Sequence, residues 1–348
     1  MLMPAPMEDT ERFALRRARQ GRLTEKLSLG RGNLAGIRDD SVRTIVWSAC
    51  ALSIVGSVLV MSLPATVVRQ EPGPRIAITV DDLPWNGPTP EEGRAAATER
   101  LLGSLTVRGV VATGFVRCAG IGPDAPLLRL WLERGMELGN HSESHRDLNS
   151  APLDVWLEDV RTCDARLRDI VGGPVRYFRY PMLHQGPTPE RREAALEVLR
   201  ELNYEIAHVS VDNSEFMLSR PYEAAVSAGD TAQAGRIGRL LIEHIVRAVR
   251  HAQTVAERKL GRDVDHILLL HATLLVSDRM GALLDALAAE GFRFVSLDEA
   301  LSDPVYQLPN GYTGRTGLSW LYRMEPATPE DANWDDAEAA RIREALQQ

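Results

Sequence analysis

The chain has 348 residues, 44% of them apolar and 25% charged, which excludes a disordered chain, a collagen-like repeat and a polytopic membrane protein. At about 150 residues per domain, this length allows two domains or one with appendages. Lys plus Arg number 40 against 48 for Asp plus Glu, a net charge of −8 without a basic stripe, so nucleic acid is not an expected partner.

The N-terminal region comes first. Residues 1–43 are basic and read as flexible. From Thr44 to Val68 there is no charged residue, and Ile45–Leu63 is a largely apolar run. At about 1.5 Å per residue that run spans roughly 28 Å, close to a hydrocarbon layer. With basic residues before it, the segment 44–68 is expected to be a transmembrane anchor or signal segment. The chain beyond residue 68 would then lie on the extracytoplasmic side. A cytoplasmic protein starting near Met61 is the alternative.

Beyond a Pro/Gly linker (Glu71–Pro74), strands and helices alternate. Strands are predicted over Arg75–Val80, Val110–Val116, Met136–Gly139, Val175–Tyr180, Tyr204–Val211, His266–Leu270 and Phe292–Val295. Helices are predicted from Thr89, as cap, to Arg108, then over 124–134, 152–171, 188–202 and 235–259. Such alternation argues for a parallel α/β sheet, open or closed into a barrel. The expected catalytic domain covers 69–302. A C-terminal extension, 303–348, ends in an acidic tail read as a peripheral helix.

Residues able to do chemistry fall where strands end, which is where parallel α/β folds place their sites. Asp81 and Asp82 end the first strand. His141 and His145 come after the third, and an i, i+4 spacing on a helical turn would let both imidazoles share one metal. Arg179, Tyr180 and Pro181 end the next strand, then come Asp212, Glu215 and Phe216, and His271 ends another apolar strand. Taken singly, each cluster has an ordinary explanation, such as a turn, surface histidines or a capped strand. Five in succession do not.

In that order, the clusters resemble the five motifs of the polysaccharide deacetylase family, carbohydrate esterase family four, with its NodB-homology domain. Thr79-Val80-Asp81-Asp82 is similar to the first motif and implies Asp81 as general base and Asp82 as a metal ligand. His141-Ser142-Glu143-Ser144-His145 is similar to the second and implies the other two ligands. Arg179-Tyr180-Pro181 resembles the third, whose Arg holds the catalytic Asp. The fourth reads D-x-x-D-W in the family but Asp212-Asn213-Ser214-Glu215-Phe216 here, so Glu215 is implied as the acidic partner of His271, with Asp212 as the alternative. Leu268-Leu269-Leu270-His271 is similar to the fifth and implies His271 as general acid. The resemblance covers about Arg75 to Leu301 and implies a distorted, incomplete parallel (β/α) barrel.

One carboxylate and two imidazoles leave a metal position open, the arrangement of a hydrolytic zinc site. Zinc is the expected metal, with cobalt and manganese as alternatives. The expected activity is hydrolysis of N-acetyl or O-acetyl groups on a polysaccharide or oligosaccharide. Tyr180, Pro181, Phe216, Trp85 and His184 are expected to line the substrate. Trp85 reads equally as a packed aromatic, and His184 as a solvated loop residue. A small-molecule C–N amidohydrolase is the second reading, favoured by the 5% aromatic content and the missing Trp. A non-catalytic carbohydrate-binding homologue is the third. The three cysteines (Cys50, Cys118, Cys163) contain no C-x-x-C. Cys118 and Cys163 could pair in an oxidising compartment, but proximity is not a property of sequence. Oligomeric state is likewise not legible.

Overall fold

The computed structural model describes residues 73–347. The sheet is built from β1 (Arg75–Leu83), β2 (Thr113–Val116), β3 (Glu137–Asn140), β4 (Tyr177–Phe178), β5 (Glu205–Ile206), β6 (His266–His271) and β7 (Arg293–Val295). All pairings between strands are parallel, in the order β5-β4-β3-β2-β1-β6, with β7 also on β1. Past β5 the chain returns to β6 through a single parallel bridge, Val211 to Leu268. That bridge partly closes the sheet on its weakest side, where strands are two residues long. The expected distorted, incomplete barrel is therefore the architecture found.

Burial explains the strands. Ile76 to Val80 are all fully buried, because β1 is paired on both edges and covered on both faces; such strands read as apolar runs rather than alternating ones. Around the sheet lie α1 (Glu91–Val107), α2 (Ala125–Glu133), α3 (Leu153–Val171), α4 (Pro189–Glu201), α5 (Phe216–Ser227), α6 (Thr231–Leu260), α7 (Leu274–Ala289) and α8 (Leu297–Leu301). Three of these, α5, α7 and the short α8, are not predicted from the sequence. Pro221 lies inside α5, and α7 is apolar enough to lack a clear polar face. Three predicted strands shrink: Val110–Val116 to β2, Val175–Tyr180 to β4, and Tyr204–Val211 to β5 and the isolated bridge. Thr89 is not a cap. Helix α1 begins at Glu91 after Pro90, and the Thr89 hydroxyl donates to Glu223 Oε1 at 3.3 Å.

The C-terminal residues belong to the same compact unit as the barrel. They carry α9 (Trp320–Arg323) and α10 (Asn333–Ala345). The expected peripheral helix is α10, yet Ile342 and the acidic Glu338 are buried in it. Glu338 takes hydrogen bonds from Arg341 and Arg247 and pairs with His244 at 3.2 Å. Cys118 and Cys163 form a disulfide, Cα–Cα 5.3 Å, joining the end of β2 to α3. Among the described residues, no helix is long and apolar enough to cross a membrane. The expected span at 44–68 lies outside the described residues.

Candidate metal centre and its acid–base neighbours

The site is held at strand ends by a backbone that ordinary side chains avoid. Asp82, Ser142, His145, Met182 and Leu183 all have φ between 54° and 65°. Left-handed non-glycine residues cost about 1–3 kcal/mol each and persist where surrounding contacts over-determine them. This corrects the helical-turn expectation for His141–His145. The segment is an irregular loop, and turns at Ser142 and His145, rather than helical spacing, bring the two rings to 4.9 Å between centroids.

Several bonds hold that loop from outside. Cys118 and Ala119 N–H donate to the Ser142 and Glu143 carbonyls, and Asp159 from α3 accepts from the Ser144 N–H and hydroxyl. His141 is buried, and its Nδ1 lies 2.8 Å from the Arg179 carbonyl. A carbonyl only accepts, so Nδ1 carries the proton and Nε2 presents a lone pair inward. That lone pair lies 4.0 Å from Asp82 Oδ1, and His145 Nε2 lies 3.6 Å from the same oxygen.

Asp82, His141 and His145 each bring one ligand atom within 4.8 Å of the others. Asp82 Oδ2 accepts from Asn86 Nδ2 at 2.8 Å, whereas the buried Oδ1 has no hydrogen-bond partner. A buried carboxylate oxygen facing two imidazole lone pairs fits a divalent cation, and ligand oxygens and nitrogens about 2.0–2.2 Å from zinc would need only a small contraction. Electrostatics agree. Burial, and then the neighbouring His141, push the His145 pKa down to about 4, so it stays neutral and free to ligate. Burial opposes the Asp82 charge, but the positive groups around the site, His271 and Arg117 among them, help hold its pKa below the usual value.

Asp81, the other carboxylate, lies 3.7 Å from His141 Nε2 through Oδ2. Its Oδ1 accepts from Arg179 Nη1 at 3.1 Å. The fully buried Arg179 also donates to Thr79 Oγ1 and to the Ala207 carbonyl, and sits 4.3 Å over the Phe115 ring. On the opposite side, Glu215 Oε1 accepts from the His271 backbone N–H at 2.7 Å and lies 3.2 Å from its Nδ1. Burial works against a charged His271, but Glu215, aided by Asp82 and Asp81, pushes its pKa up to about 9.

The remaining expected residues divide. Asp212 is not the residue bonded to His271; Glu215 is, and burial pushes the Asp212 pKa up to about 6. Phe216 is 56% exposed, with its ring 6.2 Å from that of His271. Trp85 is only 6% exposed, a packed aromatic rather than an open stacking platform. The Tyr180 side chain is buried against Trp156 and Phe178, and Pro181 is buried, so neither side chain offers an open face. His184 bonds Asp147 at 2.7 Å at the edge of the loop.

Sequence reasoning missed Asn86 and the support behind Glu215. In that support, the Ser214 N–H donates to His244 Nε2, whose Nδ1 meets Glu338. A buried histidine in the middle of a helix, away from any motif, gives no sequence signal. Asn86, four residues after Asp82, could have been found by asking what orients the ligand.

Residues 69–207 match the family model described as polysaccharide deacetylase. No curated protein matches the chain. Similar solved structures include a wild-type family-four carbohydrate esterase pseudoenzyme from Bacillus anthracis, 16% identical, covering 66% of each chain, TM-score 0.46. The peptidoglycan deacetylase PdaC from Bacillus subtilis is 22% identical over 66% of this chain and 91% of its own, TM-score 0.44. A family 4 carbohydrate esterase from Streptomyces lividans, in complex with acetate, is 18% identical over 66% and 95%, TM-score 0.43.

This geometry sets two expected outcomes. Asn86→Ala frees Asp82 Oδ2 and should weaken divalent-metal binding about 10–100-fold, measured as the Co2+ Kd by chelator competition; an unchanged Kd would show that Asn86 does not orient the ligand. Glu215→Gln keeps the shape but removes the charge, so the His271 pKa should fall from about 9 toward or below the ordinary value of about 6.5. Titration of the His271 ring by NMR checks it.

Proposed function

We propose, for a chain that carries a polysaccharide deacetylase domain of the NodB type, that it hydrolyses N-acetyl (or O-acetyl) groups on a polysaccharide or oligosaccharide. One observation carries this reading. Arg179-held Asp81 and Glu215-held His271 both adjoin a set of buried Asp82 and His141 and half-buried His145, with an orphaned carboxylate oxygen.

Asp82, His141 and His145 would hold a divalent metal, zinc in our reading, which when bound polarises the acyl oxygen and acidifies water. Asp81 takes the proton from the attacking water, kept aimed by Arg179. His271 gives a proton to the departing nitrogen, without which an amide anion would be a very poor leaving group. A backbone N–H near Tyr180 meets the developing oxyanion. Phe216, exposed beside His271, stands where the resemblance has Trp and supplies the apolar wall for a sugar ring.

We place the domain outside the cytoplasm. The Cys118–Cys163 disulfide supports that, since such bonds persist in oxidising compartments. So does the uncharged segment 44–68 that precedes it. Full-length protein should enter the membrane fraction, with protease added outside reaching residues beyond 70. Protein confined to the cytosol would refute the placement.

The reaction is tested by acetate released from N-acetylated oligosaccharides against small N-acyl amides. Release from the amides alone would favour the amidohydrolase reading, and release from neither would favour a binding protein. Asp81→Asn should retain metal and lose about 10²–10⁴-fold in turnover, whereas Asp82→Asn should lose both. Identical behaviour of the two variants would refute the division of roles.

A further inference from the structure

The acid half of the site is held by a chain of contacts that begins in the C-terminal helix. Glu215 is fully buried and its Oε2 has no partner, so the side chain is anchored to His271 through Oε1 alone. Where that oxygen lies is therefore decided by the backbone of residues 213–215. From the sheet side, Asn213 Nδ2 donates to the Leu269 carbonyl at 2.7 Å, and its Oδ1 accepts from the Glu215 N–H at 3.0 Å. From the helix side, the Ser214 N–H donates to Nε2 of His244, in α6, at 3.1 Å.

That last bond fixes the state of His244. A backbone N–H only donates, so Nε2 presents a lone pair and the proton of the neutral ring sits on Nδ1. Nδ1 lies 3.2 Å from Glu338 Oε2, in α10, and donates to it. A protonated ring would set an Nε2–H against the Ser214 N–H, so this loop requires the neutral form. Burial favours that form too and lowers the His244 pKa, against Glu338; Arg341 and Glu215 are its other charged neighbours.

Helix α10 is built to hold this ring. Glu338 is 3% exposed, and its carboxylate accepts from Arg247 Nε at 3.1 Å and Arg341 Nε at 2.9 Å. Trp334, one turn earlier, lies parallel to the His244 ring at 6.3 Å and to the His251 ring at 4.4 Å between centroids. None of these bonds reaches the candidate metal ligands. Asp82 Oδ2 is held by Asn86, and His141 by the Arg179 carbonyl.

We infer that His244 and Glu338 are positioning residues: through the Ser214 N–H they place Glu215 against His271, and they leave the Asp82–His141–His145 set untouched. The C-terminal helix thereby completes the acid half of the site, and the two halves can be uncoupled. The consequence for turnover rests on the reading of His271 as proton donor; the placement of Glu215 does not.

The test uses the full chain. His244→Leu and Glu338→Leu should each speed hydrogen exchange at the Ser214 and His271 amides about tenfold, the worth of one lost bond. The Co2+ Kd, from chelator competition, should keep its wild-type value. On N-acetylated oligosaccharides kcat should fall, by up to about 10²-fold, with KM little changed. His244→Gln sets an acceptor oxygen near the Nε2 position and should restore the amide protection and most of the turnover. A His271 amide that exchanges at the wild-type rate in His244→Leu would overturn the proposal. So would wild-type turnover, a weakened Co2+ Kd, or His244→Gln behaving like His244→Leu. Should the leucine variants fail to fold, the nitrogen chemical shift of His244 Nε2 in the wild type decides. It should be that of an unprotonated acceptor, and a protonated Nε2 overturns the assignment. A wild type that hydrolyses nothing would sink the proposed activity, while the amide and Co2+ readouts would still decide this inference.

Discussion

The buried guanidinium of Arg179 is the interaction on which the site depends. It donates to Asp81 and Thr79 of β1 and to the Ala207 carbonyl after β5, and it lies over Phe115 of β2. Through its own carbonyl it fixes the tautomer of His141 after β3. One residue therefore holds the Asp81 carboxylate, the His141 ring and the spacing of four strand ends. Removing a charge from water costs several kcal/mol, so such a residue is tolerable only where its donors are used. Loss of its partner would leave an uncompensated cation, and loss of the cation would leave Asp81 buried without its counter-charge. Stability and chemistry are here the same set of bonds.

Around that centre the backbone is bent where the chemistry is. The left-handed residues at Asp82, Ser142, His145, Met182 and Leu183 bend the chain at the end of β1 and past the ends of β3 and β4. Neighbouring elements hold them there. The first loop is tied by the Asn86 N–H to the Ala272 carbonyl, beside His271. The second is held by Asp159 and by the strand end that the Cys118–Cys163 disulfide joins to α3. Strain of this sort is retained because several contacts enforce it together.

The places of most strands along the chain, and the polar residues gathered at their ends, were legible because each depends on local pattern. An apolar run ending in Asp-Asp or His is visible whatever surrounds it. Three things were not visible. The short β4 and β5 are cut back because their flanking residues leave the sheet to bring Arg179 and Ala207 together. The helix α7, with Leu275, Met280, Leu283, Leu284 and Leu287 all buried, offers too little polar contrast for a periodic reading. Trp85 and Tyr180 resemble substrate platforms in sequence, since burial of an aromatic is decided by partners distant in the chain. The partner of His271, by contrast, is the Glu215 that the fourth motif implies, and Asp212, the alternative at the same strand end, is not bonded to it.

The longer acid at Glu215 can be understood from where it sits. It immediately precedes α5, and its backbone N–H is held by Asn213 Oδ1, which sets it back from β6. An Asp there would be one methylene shorter. Glu reaches, and Oε1 serves both the backbone N–H and the ring of His271. The same loop is braced by the Ser214 N–H on His244, and His244 by Glu338 of the C-terminal helix. The match to the family model ends at residue 207, so this half of the site lies beyond it. The carboxylate–imidazole pair at Glu215 and His271 is thus positioned by a segment whose acidic composition alone reads as a solvated tail. Burial of Glu338 converts that composition into support: three cationic or imidazole partners hold its charge, and the charge in turn orients the histidine behind the loop.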